Sequence, residues 1–307
     1  MEQANKDVGL SIIIPCYNSG SFLKESIDSI LVQKVYIKLE IIVIDDCSDD
    51  MTTIRIINEY KKNHEIKVLR NSVNKGVQYC RSFGLLNAKY DYIMMLDSDD
   101  CLPSNVIVEG MNYLEYAVKK LDKDKNIVFV HGLSNMFGDY TGYTISSYPI
   151  TVDLAVKKHH IYTSIIYRKK DGIGAGFYDE KIEKWQDWSF GISLLNYRYK
   201  QGEKNDILFV DNIVHLYRIH NISKRISRKQ IDEKKMIKIT VEANKEIFQH
   251  FYPGISIEKI VDEVDKNKPN RMIDLLYVAA NNLNRAIELV NQRKINIDNM
   301  ELHKFIP

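Results

Sequence analysis

The run Met94-Met95-Leu96-Asp97-Ser98-Asp99-Asp100 carries an apolar segment straight into three carboxylates. Carboxylates this close repel one another, and a divalent cation with oxygen ligands removes the repulsion. The same cation can bridge a diphosphate and neutralise it as a leaving group. A solvated turn or a helix cap ahead of Pro103 would use the same residue types, so the motif alone decides little.

Two other apolar runs end in a similar way. Residues 10–14 lead into Pro15-Cys16-Tyr17-Asn18, and residues 39–44 lead into Asp45-Asp46-Cys47-Ser48-Asp49-Asp50. Tyr17 can stack on a base, and Asp46 can accept a hydrogen bond from a pyrimidine N3 donor. The helix that begins after Gly20 presents its N-terminal dipole nearby. Asn74-Lys75-Gly76 adds a second helix start, and Arg81 a guanidinium suited to phosphate oxygens.

These groups need a frame that brings them together. Residues 10–14, 39–44, 66–70 and 91–96 are short and β-branched, whereas residues 21–33, 51–62 and 75–89 carry apolar residues at three- and four-residue spacing. The pattern predicts a βαβαβαβ series, hence an α/β fold with a mainly parallel sheet covered by helices. Ligands gather at the C-terminal ends of such strands. Further on, a helix is predicted from Pro103 to about residue 121, strands at 127–130, 164–167, 207–210 and 213–217, and a helix near 187–199. From Ser223 the sequence becomes charged and helical, and residues 271–294 place Met272, Leu276, Ala279, Ala280, Leu283, Ile287 and Val290 on one face. That stripe packs on its own domain, or it offers a homo-oligomer interface or a membrane contact. The expected division is a catalytic domain over residues 1–222 and a helical region over 223–307.

Taken in order, Pro15-Cys16-Tyr17-Asn18, Asp45-Asp46-Cys47-Ser48, Asn74-Lys75-Gly76 with Arg81, and Leu96-Asp97-Ser98-Asp99-Asp100 resemble the signature of the family 2 glycosyltransferases, over roughly residues 8–222. The resemblance implies a Rossmann-like GT-A fold, a nucleotide-diphospho-sugar donor that is usually a UDP-sugar, a Mn2+ or Mg2+ ion, and inversion at the anomeric carbon. It further implies that Pro15, Tyr17 and Asp46 hold the base and that Asp97 holds the ribose. Arg81 would then lie near the base or diphosphate, and Asp99 would ligate the metal. Asn18, Asn74, Gly76 and Ser98 would line the donor site, with Asp45 and Asp100 in support.

An inverting displacement also needs a base, because the attacking hydroxyl must lose its proton. The candidate is Asp187 in Trp185-Gln186-Asp187-Trp188, where Gln186 replaces the acid that usually comes first in this family. A helix N-cap is the plainer use of Asp187. Trp185 and Trp188 flank it, either as an apolar floor for a sugar ring or as core packing. Tyr217-Arg218-Ile219-His220 resembles a family segment in which the His completes the metal shell, which makes His220 the second ligand. The implied activity is transfer of a hexosyl or N-acetylhexosaminyl group to a hydroxyl of a glycan, glycoprotein or glycolipid. A noncatalytic nucleotide-sugar-binding or scaffolding subunit is the alternative, with Gln186 as its one hint.

Bulk properties narrow the remaining choices. A chain of 307 residues, 45% hydrophobic and 27% charged, can bury a full core and is neither disordered nor fibrous in composition. Its 43 Lys and Arg nearly cancel 41 Asp and Glu, so no global field argues for nucleic acid. A local cluster, Lys224, Arg225 and Arg228, could close over phosphates or touch anionic lipid headgroups. Strand-sized apolar runs and a polar N-terminus predict a cytoplasmic protein, with peripheral contact at the inner face of the membrane as an option. Cys16, Cys47, Cys80 and Cys101 have neither metal nor disulfide spacing and are expected to be reduced.

Overall fold

The N-terminal elements alternate as their spacing predicts: β1 (Gly9–Cys16), α1 (Ser21–Leu31), β2 (Lys38–Asp45), α2 (Met51–Tyr60), β3 (Ile66–Arg70), α3 (Val77–Asn87) and β4 (Tyr92–Met95). The computed structural model describes residues 8–139, 141–144, 151–158, 161–220, 231–267 and 271–299. Leu10, Ile12 and Ile14 of β1 are buried with Leu23 and Ile27 of α1 and Ile56 and Ile57 of α2. Ile13 is buried on the opposite face with Cys80 and Leu85 of α3. A strand covered on both faces loses the polar alternation of a surface strand, which is why β1 is almost uniformly apolar. α3 comes close to β1 only because residue 84 is glycine: a Cβ there would collide with Ile13.

The middle of the chain departs from the sequence reading. No helix begins at Pro103; a hairpin of β5 (Ile107–Val108) and β6 (Met111–Asn112) intervenes, and α4 (Tyr113–Lys123) starts only where the Asn112 side chain accepts from the Leu114 amide. Asn105, Glu109 and Gly110 adopt positive φ, which no helix tolerates, so the apolar spacing before Tyr113 is not helical spacing. β7 (Ile127–Gly138) continues well beyond residue 130. After it come β8 (Gly142–Tyr143), α5 (Val152–Lys157), β9 (Ile166–Arg168), α6 (Lys169–Gly174), α7 (Gln186–Lys200) and β10 (Asp206–Ile219). The strands predicted at 207–210 and 213–217 are one strand, with register shifts between Val210 and Ile213 and between Ile213 and His215. Such bulges interrupt the alternation that a sequence pattern relies on. β10 pairs along β7 in parallel, and this pairing carries β7 to Gly138.

Strand order is β10-β7-β9-β4-β1-β2-β3, with β9 antiparallel to both its neighbours and the rest of that path parallel. The α/β class predicted from the sequence therefore holds. The C-terminal ends of β1, β2 and β4 share one edge, and β10 ends near it, because the backbone of Cys101 exchanges two hydrogen bonds with Leu216 at 2.8 and 3.0 Å.

α8 (Glu233–Ala243), α9 (Lys245–Phe251) and α10 (Ile257–Lys266) bury Ile237, Val241, Phe248, Ile260 and Val264 in the core that holds Trp188 and Leu194 of α7. They thicken one helical layer of the sheet. The single helix predicted over 271–294 is interrupted at Asn282, giving α11 (Arg271–Asn281) and α12 (Leu283–Asn299). Of the predicted stripe, Ala279 packs but Leu276, Leu283, Ile287 and Val290 do not. Val278, Ala286 and Leu289 are buried against Leu133, with Leu275 and Ala279 beside them. Leu276, Leu283, Ile287 and Val290 are between 47% and 63% exposed. Apolar residues stand in adjacent pairs here, such as Leu275-Leu276 and Leu289-Val290, so two overlapping stripes exist and periodicity cannot choose between them. No helix among the described residues is long and apolar enough to cross a membrane. The boundary at residues 222 and 223 and the cluster Lys224, Arg225 and Arg228 lie outside the described residues.

Candidate active site

The loops after β1 and β2 are tied together by their own side chains. Pro15 pairs opposite Ile44, beyond Ile13 where the β4 ladder ends, so its missing amide breaks no bond on that side. Tyr17 follows as a residue 51% exposed, which leaves its ring available for stacking. Asn18, at φ 50, donates to Asp49 Oδ1 at 2.7 Å and accepts from the Asp49 amide at 2.9 Å. Asp45 is fully buried, accepts from the Ser48 amide at 3.0 Å and pairs with Arg70 at 2.7 Å. Both residues shape the rim of the site.

Asp46 is 3% exposed. Its Oδ1 accepts from Asn71 Nδ2 and the Lys75 amide, both at 2.8 Å, and its Oδ2 accepts from the Gly76 amide at 2.7 Å. These bonds fold the Asn71–Gly76 turn against β2, and Gly76 at φ 89 gives α3 its start. A carboxylate has roughly four lone-pair positions, so Asp46 keeps about one for a ligand. Asn74 stands exposed on the same turn.

After β4, Asp97 and Ser98 turn toward this rim. Ser98 Oγ lies 2.6 Å from Ser19 Oγ, which joins the β4 loop to the β1 loop. Arg81, reaching from α3, donates to Asp97 Oδ1 at 2.7 Å and to Asp187 Oδ1 at 3.0 Å. Its side chain is 3% exposed, against 30% and 26% for those of Asp97 and Asp187. Asp187 lies in the first turn of α7, whose N-cap is Trp185, so its carboxylate serves Arg81 and not the cap. Burial raises the Asp187 pKa, and the nearby Asp97 raises it further, while Arg81 and a hydrogen bond with Thr163 oppose the shift. A carboxyl with raised proton affinity is a stronger base once ionised.

On the far side of the turn, Asp99 Oδ2 lies 2.8 Å from His220 Nε2. Asp100 is 1% exposed and accepts from the Arg218 amide at 2.8 Å, with His215 Nε2 3.1 Å away. Burial raises the Asp100 pKa and His215 opposes the shift. Arg218 Nε also donates to the Asp99 carbonyl at 2.7 Å. Asp100 and Arg218 thus fasten the acidic turn to β10, which delivers His220 to Asp99. One carboxylate oxygen and one imidazole nitrogen, facing each other, suit a divalent cation that takes its other ligands from a diphosphate. His220 Nδ1 is buried without a hydrogen-bond partner, which leaves Nε2 as the nitrogen engaged with Asp99. No cluster of three or more metal-ligating side chains occurs among the described residues, so a cation here depends on the ligand for its remaining oxygens.

A family model described as Glycosyl transferase family 2 matches residues 11–178. The chain belongs to glycosyl transferase family 2. The minor teichoic acid biosynthesis protein GgaB of Bacillus subtilis is 24% identical over 317 residues, covering 100% of this chain and 32% of that protein. The poly-beta-1,6-N-acetyl-D-glucosamine synthase of Staphylococcus epidermidis is 38% identical over 91 residues, which is 30% of this chain and 22% of the synthase. The chain thus spans less than a third of either relative. Among solved structures, S. aureus TarS residues 1–349 in complex with UDP-GlcNAc superposes with a TM-score of 0.64 at 17% identity, over 80% of this chain and 72% of that one. The mannosyltransferase PcManGT from Pyrobaculum calidifontis, in complex with GDP-Man and Mn2+, gives a TM-score of 0.56 at 13% identity, over 96% and 81%. At such identities the likeness is one of fold, and it is the GT-A fold that the motifs implied.

Within this family 2 chain, one sheet edge brings together Tyr17, Asp46, Arg81, Asp97, Ser98, Asp99, Asp187 and His220. Trp188 does not join them: it is 1% exposed, its Nε1 donates to the Ala155 carbonyl at 2.8 Å, and its ring packs edge-on to Phe248. It is core, and its ring offers no floor for a sugar. Gln186 is half-buried and donates to the Glu183 carbonyl at 3.2 Å. The four cysteines are free, and burial pushes the Cys16 thiol up to about 12 and Cys101 to about 11, so neither ionises at neutral pH. Thr163, His215 and Arg218 were missed as site residues. Arg218 stands in the segment quoted for His220 but was given no role of its own, whereas Thr163 and His215 belong to no motif, and Thr163 lies in a loop whose position no local pattern announces.

Proposed function

We propose that this chain is an inverting glycosyltransferase that moves a sugar from a UDP-sugar to an acceptor hydroxyl by a single displacement. The observation that carries the reading is Arg81, which ties the donor-side Asp97 to Asp187, a carboxylate still 26% exposed and shifted toward stronger basicity. The UDP-GlcNAc complex of TarS supports a UDP-sugar donor of hexosyl or N-acetylhexosaminyl type. The teichoic acid named for GgaB and the poly(ribitol-phosphate) named for the beta-glucosyltransferase of Bacillus spizizenii, 36% identical over 107 residues, support a hydroxyl-bearing polymer as acceptor.

In this reading Tyr17 stacks on the base, Asp46 accepts from the ring with its remaining lone pair, and Asp97 takes the ribose hydroxyls. Asp187 accepts the acceptor's proton as its oxygen attacks the anomeric carbon, and the nucleoside diphosphate leaves from the opposite face. Asp99 and His220 would hold Mn2+ or Mg2+, which when bound offsets the charge on the departing diphosphate. The exposed stripe of Leu276, Leu283, Ile287 and Val290 is where a homo-oligomer or the inner face of a membrane would meet the chain. A cytoplasmic location belongs to the same proposal.

Calorimetric titration of UDP with and without Mn2+, with GDP as control and a screen of UDP-sugars after it, tests the proposal. Metal-dependent UDP binding followed by turnover of one UDP-sugar is expected. Binding of neither nucleotide would overturn the donor assignment, and UDP binding without turnover of any sugar would favour a noncatalytic subunit.

A further inference from the structure

We infer that Arg81, with Thr163 beside it, is a positioning residue that holds Asp187 in register with the donor-side carboxylate Asp97. The inference rests on the reading of Asp187 as the base. A planar guanidinium presents its terminal nitrogens in a fixed fork, so bonds of 2.7 and 3.0 Å to two carboxylates fix the separation of those carboxylates. The carboxylates come from different elements, the β4 turn and the first turn of α7, and Arg81 comes from a third. Tyr178 supports the fork from one face, with the guanidinium carbon 5.3 Å from the ring centroid. The Thr163 hydroxyl, on the segment before β9, donates to Asp97 Oδ2 at 3.4 Å, and Thr163 also favours the ionised form of Asp187. Arg81 bridges the pair of acids, and a second segment adds a longer bond to Asp97.

This differs from the role expected of Arg81 by resemblance, a contact to base or diphosphate. Both terminal nitrogens are taken by protein carboxylates, and the side chain is almost wholly enclosed. The groups facing Asp187 are Arg81 from α3, Asp97 from the β4 turn, Thr163, Tyr178 and, at longer range, His215 from β10. Arg81, Thr163 and His215 favour its ionised form, and Asp97 opposes it. Weakening the bridge should loosen the base and raise its proton affinity together.

The test uses the full chain, UDP as the binding probe, and the UDP-sugar that is turned over. Arg81→Lys keeps the charge but loses the fork, and Thr163→Val removes the hydroxyl while keeping the side-chain shape. Each should lower kcat, Arg81→Lys by about tenfold or more, and move the acid limb of the kcat profile to higher pH. UDP affinity should change by less than about threefold. Thr163→Ser should restore both rate and profile. On an Asp187→Asn background, Arg81→Lys should cost nothing further. Weaker UDP binding with kcat and acid limb unmoved would make Arg81 a donor contact and overturn the inference. Additive losses with Asp187→Asn, or an unmoved acid limb with Thr163→Val, would overturn it too. Full turnover by Asp187→Asn alone would instead remove the base reading on which it rests, which separates the two failures.

Discussion

His220 Nε2 and Asp99 Oδ2 lie 2.8 Å apart across a sequence separation of 121 residues. The two groups are in hydrogen-bonding contact, and the proposed function has a divalent cation take both as ligands. Asp99→Ala is expected to abolish the Mn2+-dependent part of UDP binding and His220→Ala to reduce it, each leaving the metal-free binding within about twofold. Paired calorimetric titrations with Mn2+ and with a chelator measure both parts. Equal metal dependence in wild type and Asp99→Ala would place the cation elsewhere.

Asp187→Asn is expected to lower kcat by about 100-fold or more, the usual contribution of general base catalysis, while UDP binding stays near wild type. The pH dependence has a definite sign. Burial raises the Asp187 pKa above 3.8, and the base acts only when ionised, so kcat should fall as pH drops through that raised value. No loss on the alkaline side comes from this group. A wild-type acid limb that survives unchanged in the residual activity of Asp187→Asn would show that another group titrates.

Asp46→Ala removes an acceptor that serves two backbone amides and Asn71 in a buried turn. Leaving such donors unpaired costs about 2–3 kcal/mol in total stability, and UDP binding should be lost with the turn. Chemical denaturation and UDP titration of the same preparation would check both. Unchanged stability would mean that the turn holds without Asp46.

Trp188→Phe should destabilise the protein by about 1–3 kcal/mol, because the Ala155 carbonyl loses its buried donor and the smaller ring leaves space near Phe248. The donor KM and kcat at a permissive temperature should be unchanged. A KM effect without a stability effect would return Trp188 to the sugar site.

Local chemistry made much of this molecule readable in advance. Every strand from β1 to β4 lies within about two residues of its predicted bounds, because short, largely apolar runs alternating with helix-period segments are the pattern a helix-covered parallel sheet requires. The acidic turn and the two polar loops stand out because each follows such a run at the strand end where ligands collect. Reading was weaker wherever long-range pairing overrides local pattern. β10 was split in two because its bulges interrupt alternation, and the C-terminal stripe was placed on the exposed face because adjacent apolar pairs allow two registers.

The sequence by itself determined the α/β class, the family signature and the types of group on offer: acids after β2 and β4, a guanidinium on α3, an acid at the start of α7. Their mutual arrangement belongs to the tertiary structure. Only the fold shows that Arg81 joins Asp97 to Asp187, that Asp46 folds a turn, that Asp45 and Asp100 are buried supports, and that Trp188 is core. The physical reason is that a side chain's role depends on burial and on partners 16 to 106 residues away, as for Arg81. Spacing along a chain encodes the period of an element, and the neighbours across elements are chosen by packing.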